Sequence, residues 1–396
     1  MRTGLPVMRS KAISRDVQHS CLRDHSRHRR IVGRFLMRAV AATGREFPDV
    51  LDVELQAPGV HEVRARIDAS AMCATELLTL SGQVVMKAQP MILGHSAVGE
   101  VVEVGPEVGR VKVGDKIAIS GSMQCGMCRA CRRGSPGACE QIFVQMGRRV
   151  GVDAHGRAVY GDGGAGVHAQ EAILPEWGLV PVETDAAPEH LAMLGCGICS
   201  GLGAVLEVAR VQEGDTVAIF GAGHLGLWMT QGARVAGAER IIVVEPRAER
   251  RAVAGQVGAT DVVDPAGDVV EEVRDLTGGV GVDVALEAVG SAEVVQQAFA
   301  VTRWGGTVVP TGMPGDRTAR VAVSQFELAI GSKRVQGAQT GGGDLLGMVP
   351  RYVRYLDEGL IDARPVLSGT YSFDQVEDAV RGARERTNFT GVLLPR

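Results

Sequence analysis

Cys125, Cys128, Cys131 and Cys139 follow one another as C-x2-C-x2-C-x7-C, placing half of the chain's eight cysteines within fifteen residues. Four thiolates at this spacing can wrap one tetrahedral Zn²⁺, at about 2.3 Å per sulfur. The competing arrangement is a disulfide pair, but disulfide frameworks belong to small secreted domains. No secretory segment is expected here, because the twin arginine Arg29-Arg30 is followed by no apolar stretch. A four-cysteine site closes the coordination sphere and leaves no position for a substrate, so this zinc is expected to be structural.

Further candidate ligands are scattered: Cys73, His95, Cys196 and Cys199. Three of them sit in turns of small residues, as Cys73-Ala74-Thr75-Glu76, Gly94-His95-Ser96 and Gly195-Cys196-Gly197. Two thiolates and one imidazole would leave a zinc's fourth position open for an alcohol or aldehyde oxygen.

A nucleotide site is written in a third stretch. Val217-Ala218-Ile219-Phe220 runs into Gly221-Ala222-Gly223-His224-Leu225-Gly226, a G-x-G-x-x-G at a strand-to-helix turn. Gly221 permits the tight turn, Gly223 lets a pyrophosphate approach the backbone and Gly226 lets helix and strand pack closely, with the helix N-terminus facing the phosphates. A second apolar run, Ile241–Val244, ends in Glu245, 24 residues after the first glycine, where a carboxylate can accept from both ribose hydroxyls. Glu245 would repel a 2′-phosphate, which favours NAD over NADP. Arg247 and Arg250 are the residues that would instead serve a phosphate.

The elements that must position these residues differ between the two halves of the chain. From Met37 onward, stretches such as 62–68 and 98–105 read as β-strands joined by Gly-rich turns. From about residue 200, apolar strands (216–220, 241–245, 282–287, 307–311) alternate with helical stretches (225–236, 247–257), the pattern of a parallel sheet. With 396 residues, two domains are the natural expectation. A formal net charge of −4 gives no reason to expect nucleic acid. The longest apolar runs fall short of the roughly 18 residues that span a bilayer, so a soluble, cytoplasmic protein is expected. The first 36 residues stand apart, with nine Lys or Arg against two Asp, a local +7; they read as a basic, disordered extension in which Cys21 is a free thiol.

In this order, C-x-T-[acid], G-H-x-x-x-G-x-V-x-x-V-G, the four-cysteine lobe, G-C-G and G-x-G-x-x-G, the chain resembles the zinc-dependent medium-chain dehydrogenases/reductases, the alcohol dehydrogenases. The resemblance runs from Met37 to the C-terminus. It implies an α/β protein with a β-rich GroES-like catalytic domain over 37–197, an NAD-binding Rossmann domain with a doubly wound parallel sheet over 198–339, and a return to the catalytic domain over 340–396. It also implies two zinc ions per chain, one held by Cys73, His95 and Cys196 and one by the four clustered cysteines. Thr75 would hydrogen-bond the substrate oxygen and pass on its proton, and Glu76 would orient the histidine ligand. The implied reaction is hydride transfer between an alcohol, or the corresponding aldehyde or ketone, and NAD. The implied assembly is a homodimer or homotetramer joined through sheet edges. Cys199 matches no ligand of the family and reads as packing.

The chain departs from the family pattern at several places, one being Glu76, where many members carry an acid one carbon shorter. Ser96 stands where many members carry a Glu able to approach the zinc, and Leu78 stands where many carry a histidine that passes the proton to solvent. Gly161-Asp162-Gly163-Gly164-Ala165-Gly166 suggests a mobile lid, a pocket with few side-chain walls or a flexible surface loop, with His168 beyond it able to contact substrate or simply to pack. These departures keep two other readings in view, a reductase of a conjugated C=C bond or other specialised substrate, and a cofactor-binding protein without turnover.

Overall fold

The computed structural model describes residues 30–31, 34–83, 89–145 and 147–395. Most of the basic N-terminal segment, Cys21 included, lies outside them. Its last residues pair antiparallel, Arg30–Ile31 against Arg34–Phe35.

The strand Glu62–Ala71 shows why the first half is β-structure. Val63, Ala65, Ile67 and Ala69 alternate along it and are buried, while Arg64, Arg66 and Asp68 face outward, the two arginines meeting Glu103 and Glu100 of the neighbouring strand and Arg66 also Asp68. This strand is central to a seven-stranded sheet that also contains Ser96–Val104, Lys116–Ser120, Glu171–Pro175 and Leu179–Pro181. The remaining two members come from the far end of the chain. Thr390–Leu393 lies antiparallel to Glu62–Ala71, pairing Val392 with Ala71 and Leu393 with Ser70, and Leu367–Tyr371 extends that edge. Beside this sheet a closed barrel is formed by Met37–Ala42, Asp49–Leu55, Met91–Ile92, Arg149–Asp153 and Ala158–Gly161.

The second unit is a six-stranded parallel sheet in the spatial order 261–263, 240–244, 216–220, 282–287, 302–310, 334–335. Numbered along the chain, that is 3-2-1-4-5-6, the doubly wound order, with its switch point between Thr216–Phe220 and Val282–Glu287. Ligands bind such sheets at the carboxyl ends of the strands beside the switch point, which is where the glycine turn and Glu245 lie.

A helical stretch over Pro188–Ala209 joins the two units. Its 22 residues and mean hydropathy of 1.8 would suffice to cross a bilayer, longer than the uninterrupted apolar runs suggested, because small residues keep it apolar through several turns. It is 72% buried within the fold and serves as a core helix. Gly201 lies against Trp228 of the nucleotide-binding helix His224–Val235, where an added Cβ would come within 2.4 Å of the Trp228 Cβ.

Candidate active site and metal centres

The four clustered cysteines converge, their sulfurs lying within 4.8 Å of one another. Cys125 and Cys139 approach to 3.6 Å and Cys128 and Cys139 to 4.0 Å. These separations are far longer than a disulfide and match the edge of about 3.8 Å of a tetrahedron with zinc–sulfur bonds of 2.3 Å. The backbone turns its N–H groups of Cys125, Met127, Cys128 and Cys131 toward sulfurs at 3.3 to 3.5 Å. The Cys131 and Glu140 N–H groups hold the Cys128 thiol down at about 6, whereas burial pushes Cys131 up to about 12. The donor set fits zinc.

Cys73, His95 and Cys196 also meet, with ligand atoms within 4.8 Å and the two sulfurs 4.0 Å apart. Each comes from a different element. Cys73 begins the helix Ala74–Leu80, directly after the central strand. His95 sits in the turn before Ser96–Val104. Cys196 occupies a wide helical turn, Leu194–Ile198, in which the Ile198 N–H donates to the Met193 carbonyl at 3.0 Å. Wide turns of this kind cluster at functional sites.

The G-C-G of this turn has a packing reason on each side. A Cβ on Gly195 would lie 1.9 Å from the Ile119 carbonyl oxygen of the catalytic sheet, and one on Gly197 would lie 1.6 Å from the His224 Nε2 of the nucleotide domain. Two serines fasten the same stretch: Ser120 Oγ donates to the Gly195 carbonyl and Ser96 Oγ to the Ala192 carbonyl, both at 2.6 Å. Ser96 is thus a buried tie between strand and helix.

The contact between the two sulfurs holds the Cys73 thiol well below its usual value and pushes Cys196 well above it. Burial would lower His95, but the Asp162 carboxylate and the Cys196 and Cys73 sulfurs outweigh it and raise the imidazole well above its usual value. Two sulfurs and an imidazole are a donor set that fits zinc. Cys199 is fully buried with its thiol pushed up to about 12 by that burial, in keeping with packing.

Glu76, expected to orient the histidine ligand, has three neighbours. Its Oε2 pairs with His168 Nε2 at 3.0 Å, and Oε1 accepts from the Cys73 N–H at 3.3 Å, leaving His95 Nδ1 at 3.9 Å from that same oxygen. His168 is fully buried and held on its other side by Ser70 Oγ at 2.8 Å. It packs between Ser70 and Glu76. The glycine run beside it is a close-packed turn: Gly163 has φ 53°, and a Cβ there would come within 3.2 Å of the His95 Cβ. Thr75 lies in the first turn of its helix with its hydroxyl toward the Cys73 thiol. Leu78, one turn on, faces the nucleotide domain, 3.7 Å from where a Cβ on Gly315 would be.

In the nucleotide turn, Gly226 allows the helix to touch the strand end, since a Cβ there would sit 1.8 Å from the Gly221 carbonyl oxygen. Gly223 caps the helix His224–Val235. Glu245 spans the turn, its Oε2 accepting from the Ala222 N–H at 2.8 Å and Oε1 from the Arg247 N–H at 3.1 Å. Arg250 Nη2 donates to the Arg386 and Asn388 carbonyls at 2.8 and 3.1 Å, and its guanidinium stacks over Phe389. Arg247 Nη1 reaches the Glu385 and Arg386 carbonyls. His224 was hidden within the glycine motif as a variable position. Its ring bonds Thr390 Oγ1 through Nδ1, and burial lowers its pKa, so it acts as a neutral wedge between the domains.

Residues 59–184 match the alcohol dehydrogenase GroES-like domain, and residues 225–354 match the zinc-binding dehydrogenase family. An S-(hydroxymethyl)glutathione dehydrogenase of Escherichia coli O1:K1 / APEC is 32% identical over 343 residues, covering 84% of this chain and 92% of that protein. The chain belongs to the zinc-binding alcohol dehydrogenase family. This dehydrogenase also shares its fold with the crystal structure of benzyl alcohol dehydrogenase from Acinetobacter calcoaceticus, at a TM-score of 0.84 and 27% identity over 91% of this chain and 99% of that one. A zinc-binding dehydrogenase from Sinorhizobium meliloti 1021 bound to NADP superposes with a TM-score of 0.76 and 27% identity, covering 91% and 99%. The protein is accordingly an NAD(P)-dependent oxidoreductase of the zinc alcohol dehydrogenase type.

Proposed function

We propose that this dehydrogenase interconverts a small-molecule alcohol and its aldehyde or ketone, with NAD as the hydride carrier and Cys73, His95 and Cys196 holding the catalytic zinc. The observation that carries the reading is the convergence of these three ligand atoms within 4.8 Å at the junction of the two domains, one residue from the Gly197 contact with the nucleotide-binding helix. Zinc, when bound, supplies a Lewis acid for the alcohol oxygen, and the nicotinamide supplies the redox step. Thr75 takes the alcohol proton through its hydroxyl. Leu78 cannot carry that proton further, so it passes to water. The four-cysteine zinc folds its lobe and takes no part in chemistry.

Glu245 favours NAD. Its carboxylate is held across the glycine turn, and both arginines that would serve a 2′-phosphate are engaged by carbonyls of the 385–388 turn. We also infer a homodimer or homotetramer, supported by Trp304, Phe326, Ile330 and Val335, which are exposed around the edge strand Arg334–Val335 of the parallel sheet. A cytoplasmic location suits the seven cysteines of the described residues, none of which is paired in a disulfide.

Metal analysis combined with turnover of NAD⁺ over primary, secondary, aromatic and terpenoid alcohols tests the proposal. Two zinc per chain with alcohol-dependent NADH formation is the expected result. Absence of turnover at full zinc occupancy, with matching aldehydes and enones also tried, would overturn it.

A further inference from the structure

His95 has two carboxylates at nearly equal distance from Nδ1, Glu76 Oε1 at 3.9 Å and Asp162 Oδ2 at 3.8 Å. They are not equally free to serve it. Both Glu76 oxygens are already committed, one to the Cys73 N–H and the other to His168, and His168 is locked in turn by Ser70. Glu76 is 1% exposed, so its side chain has no room to turn toward His95 without breaking this buried chain. Asp162 has no such tie: among the described residues, His95 is the only hydrogen-bonding or charged partner of its carboxylate.

The backbone around Asp162 is laid on the histidine. The Asp162 carbonyl accepts from Ala165 and Gly166 at 2.8 and 3.1 Å, closing the turn. Gly163 and Gly121 hold their backbones so close to His95 that Cβ atoms there would come within 3.2 and 2.6 Å of its Cβ. Shortening the 3.8 Å separation to a charge-assisted hydrogen bond of about 2.8 Å requires a shift of about 1 Å. The 18% exposed Asp162 side chain can make that shift. With Nδ1 turned to the carboxylates, Nε2 is the ring atom left for a metal.

We propose that Asp162, supplied by the glycine-rich turn, is the positioning residue of the His95 ligand, and that Glu76 instead anchors the Cys73 end of the site. This inference rests on the reading that Cys73, His95 and Cys196 hold zinc.

The test uses the full-length protein and its Asp162→Ala and Asp162→Asn variants, with zinc release to a chromophoric chelator and the visible spectrum after Co²⁺ substitution as readouts. A metal ligand that loses its orienting partner costs about 10 to 100-fold in metal affinity. Asp162→Ala is therefore expected to weaken one of the two sites by that factor, to shift the Co²⁺ bands of that site and to leave the four-cysteine metal in place. Asp162→Asn, which keeps an acceptor oxygen without the charge, is expected to weaken the same site measurably but by less than the alanine variant. It carries the test should the alanine variant fail to fold. Unchanged affinity and spectrum in a folded variant overturn the proposal. A wild-type protein that binds only the four-cysteine metal overturns the underlying site reading instead.

Discussion

The two metal centres are built on opposite principles. In the four-cysteine lobe all ligands lie within fifteen residues, and the backbone N–H groups that tune the sulfurs belong to the same short loop. In the other centre, Cys73 and Cys196 are 123 residues apart, and their meeting depends on a strand end, a turn and a wide helical turn wedged between two domains. The first can organise around its ion almost by itself, whereas the second exists only when the tertiary fold brings it together. A ligand substitution in the lobe should therefore read out as stability, and one in the scattered centre as chemistry.

Cys73→Ser breaks the comparison most sharply. Loss of a Lewis acid worth several kcal/mol in the transition state should lower kcat/KM on the order of 10³-fold or more, with the melting temperature little changed and zinc falling from two to one per chain. Cys125→Ser should do the reverse. Loss of a structural zinc site removes binding energy that contributes directly to folding, on the order of 3 kcal/mol or more, measured by denaturant unfolding, while kcat per folded molecule stays near wild type. Equal loss of activity and stability in both variants would show that the two centres are not separable.

Gly195→Ala probes the tertiary dependence without touching a ligand. The added methyl would lie 1.9 Å from the Ile119 carbonyl oxygen, and overpacking of this kind costs about 1–3 kcal/mol. The displaced Cys196 turn should release the catalytic metal to a chelator faster and leave the lobe's metal in place.

The smallest effect is expected beneath the lobe. Burial would raise Glu176, but the Gly109 and Arg110 N–H groups and His61 outweigh it and hold its carboxyl below the usual value. A carboxylate with a depressed folded-state pKa stabilises the fold above its unfolded value of about 4.3 and loses that contribution as pH falls through the folded value. Glu176→Gln should therefore cost about 1–2 kcal/mol at pH 7, a difference that shrinks below about pH 4 in unfolding curves compared at the two pH values.

Much of the fold was legible because its signals are local. Thr216–Phe220 and Val282–Glu287 stand where their apolar runs placed them, and the flanking helices agree within a residue or two. The strand Thr302–Pro310 begins five residues earlier than its apolar run, because Thr302 pairs with Val282 and residues 303–306 form an irregularity before the register resumes at Thr307. Local pattern said less about the glycine run 161–166. Abundant glycine signals freedom when there is no information about neighbours, yet here it reports close approach to His95. The pairing of Glu76 with His168, the approach of the Asp162 carboxylate to His95 and the capture of Arg250 by the 386–388 carbonyls had no signal in spacing, since each partner lies far along the chain or is a backbone atom.

The sequence by itself determined the four-cysteine lobe, the glycine turn with its acid 24 residues on, and the change from antiparallel to parallel architecture, because each depends on contacts a few residues long or on a repeating pattern. Only the tertiary structure decided which scattered cysteines and histidine meet and which carboxylate is left free for His95. Those outcomes depend on the packing of Gly195 and Gly197 against both domains, and close packing between distant segments leaves no period in the chain to read.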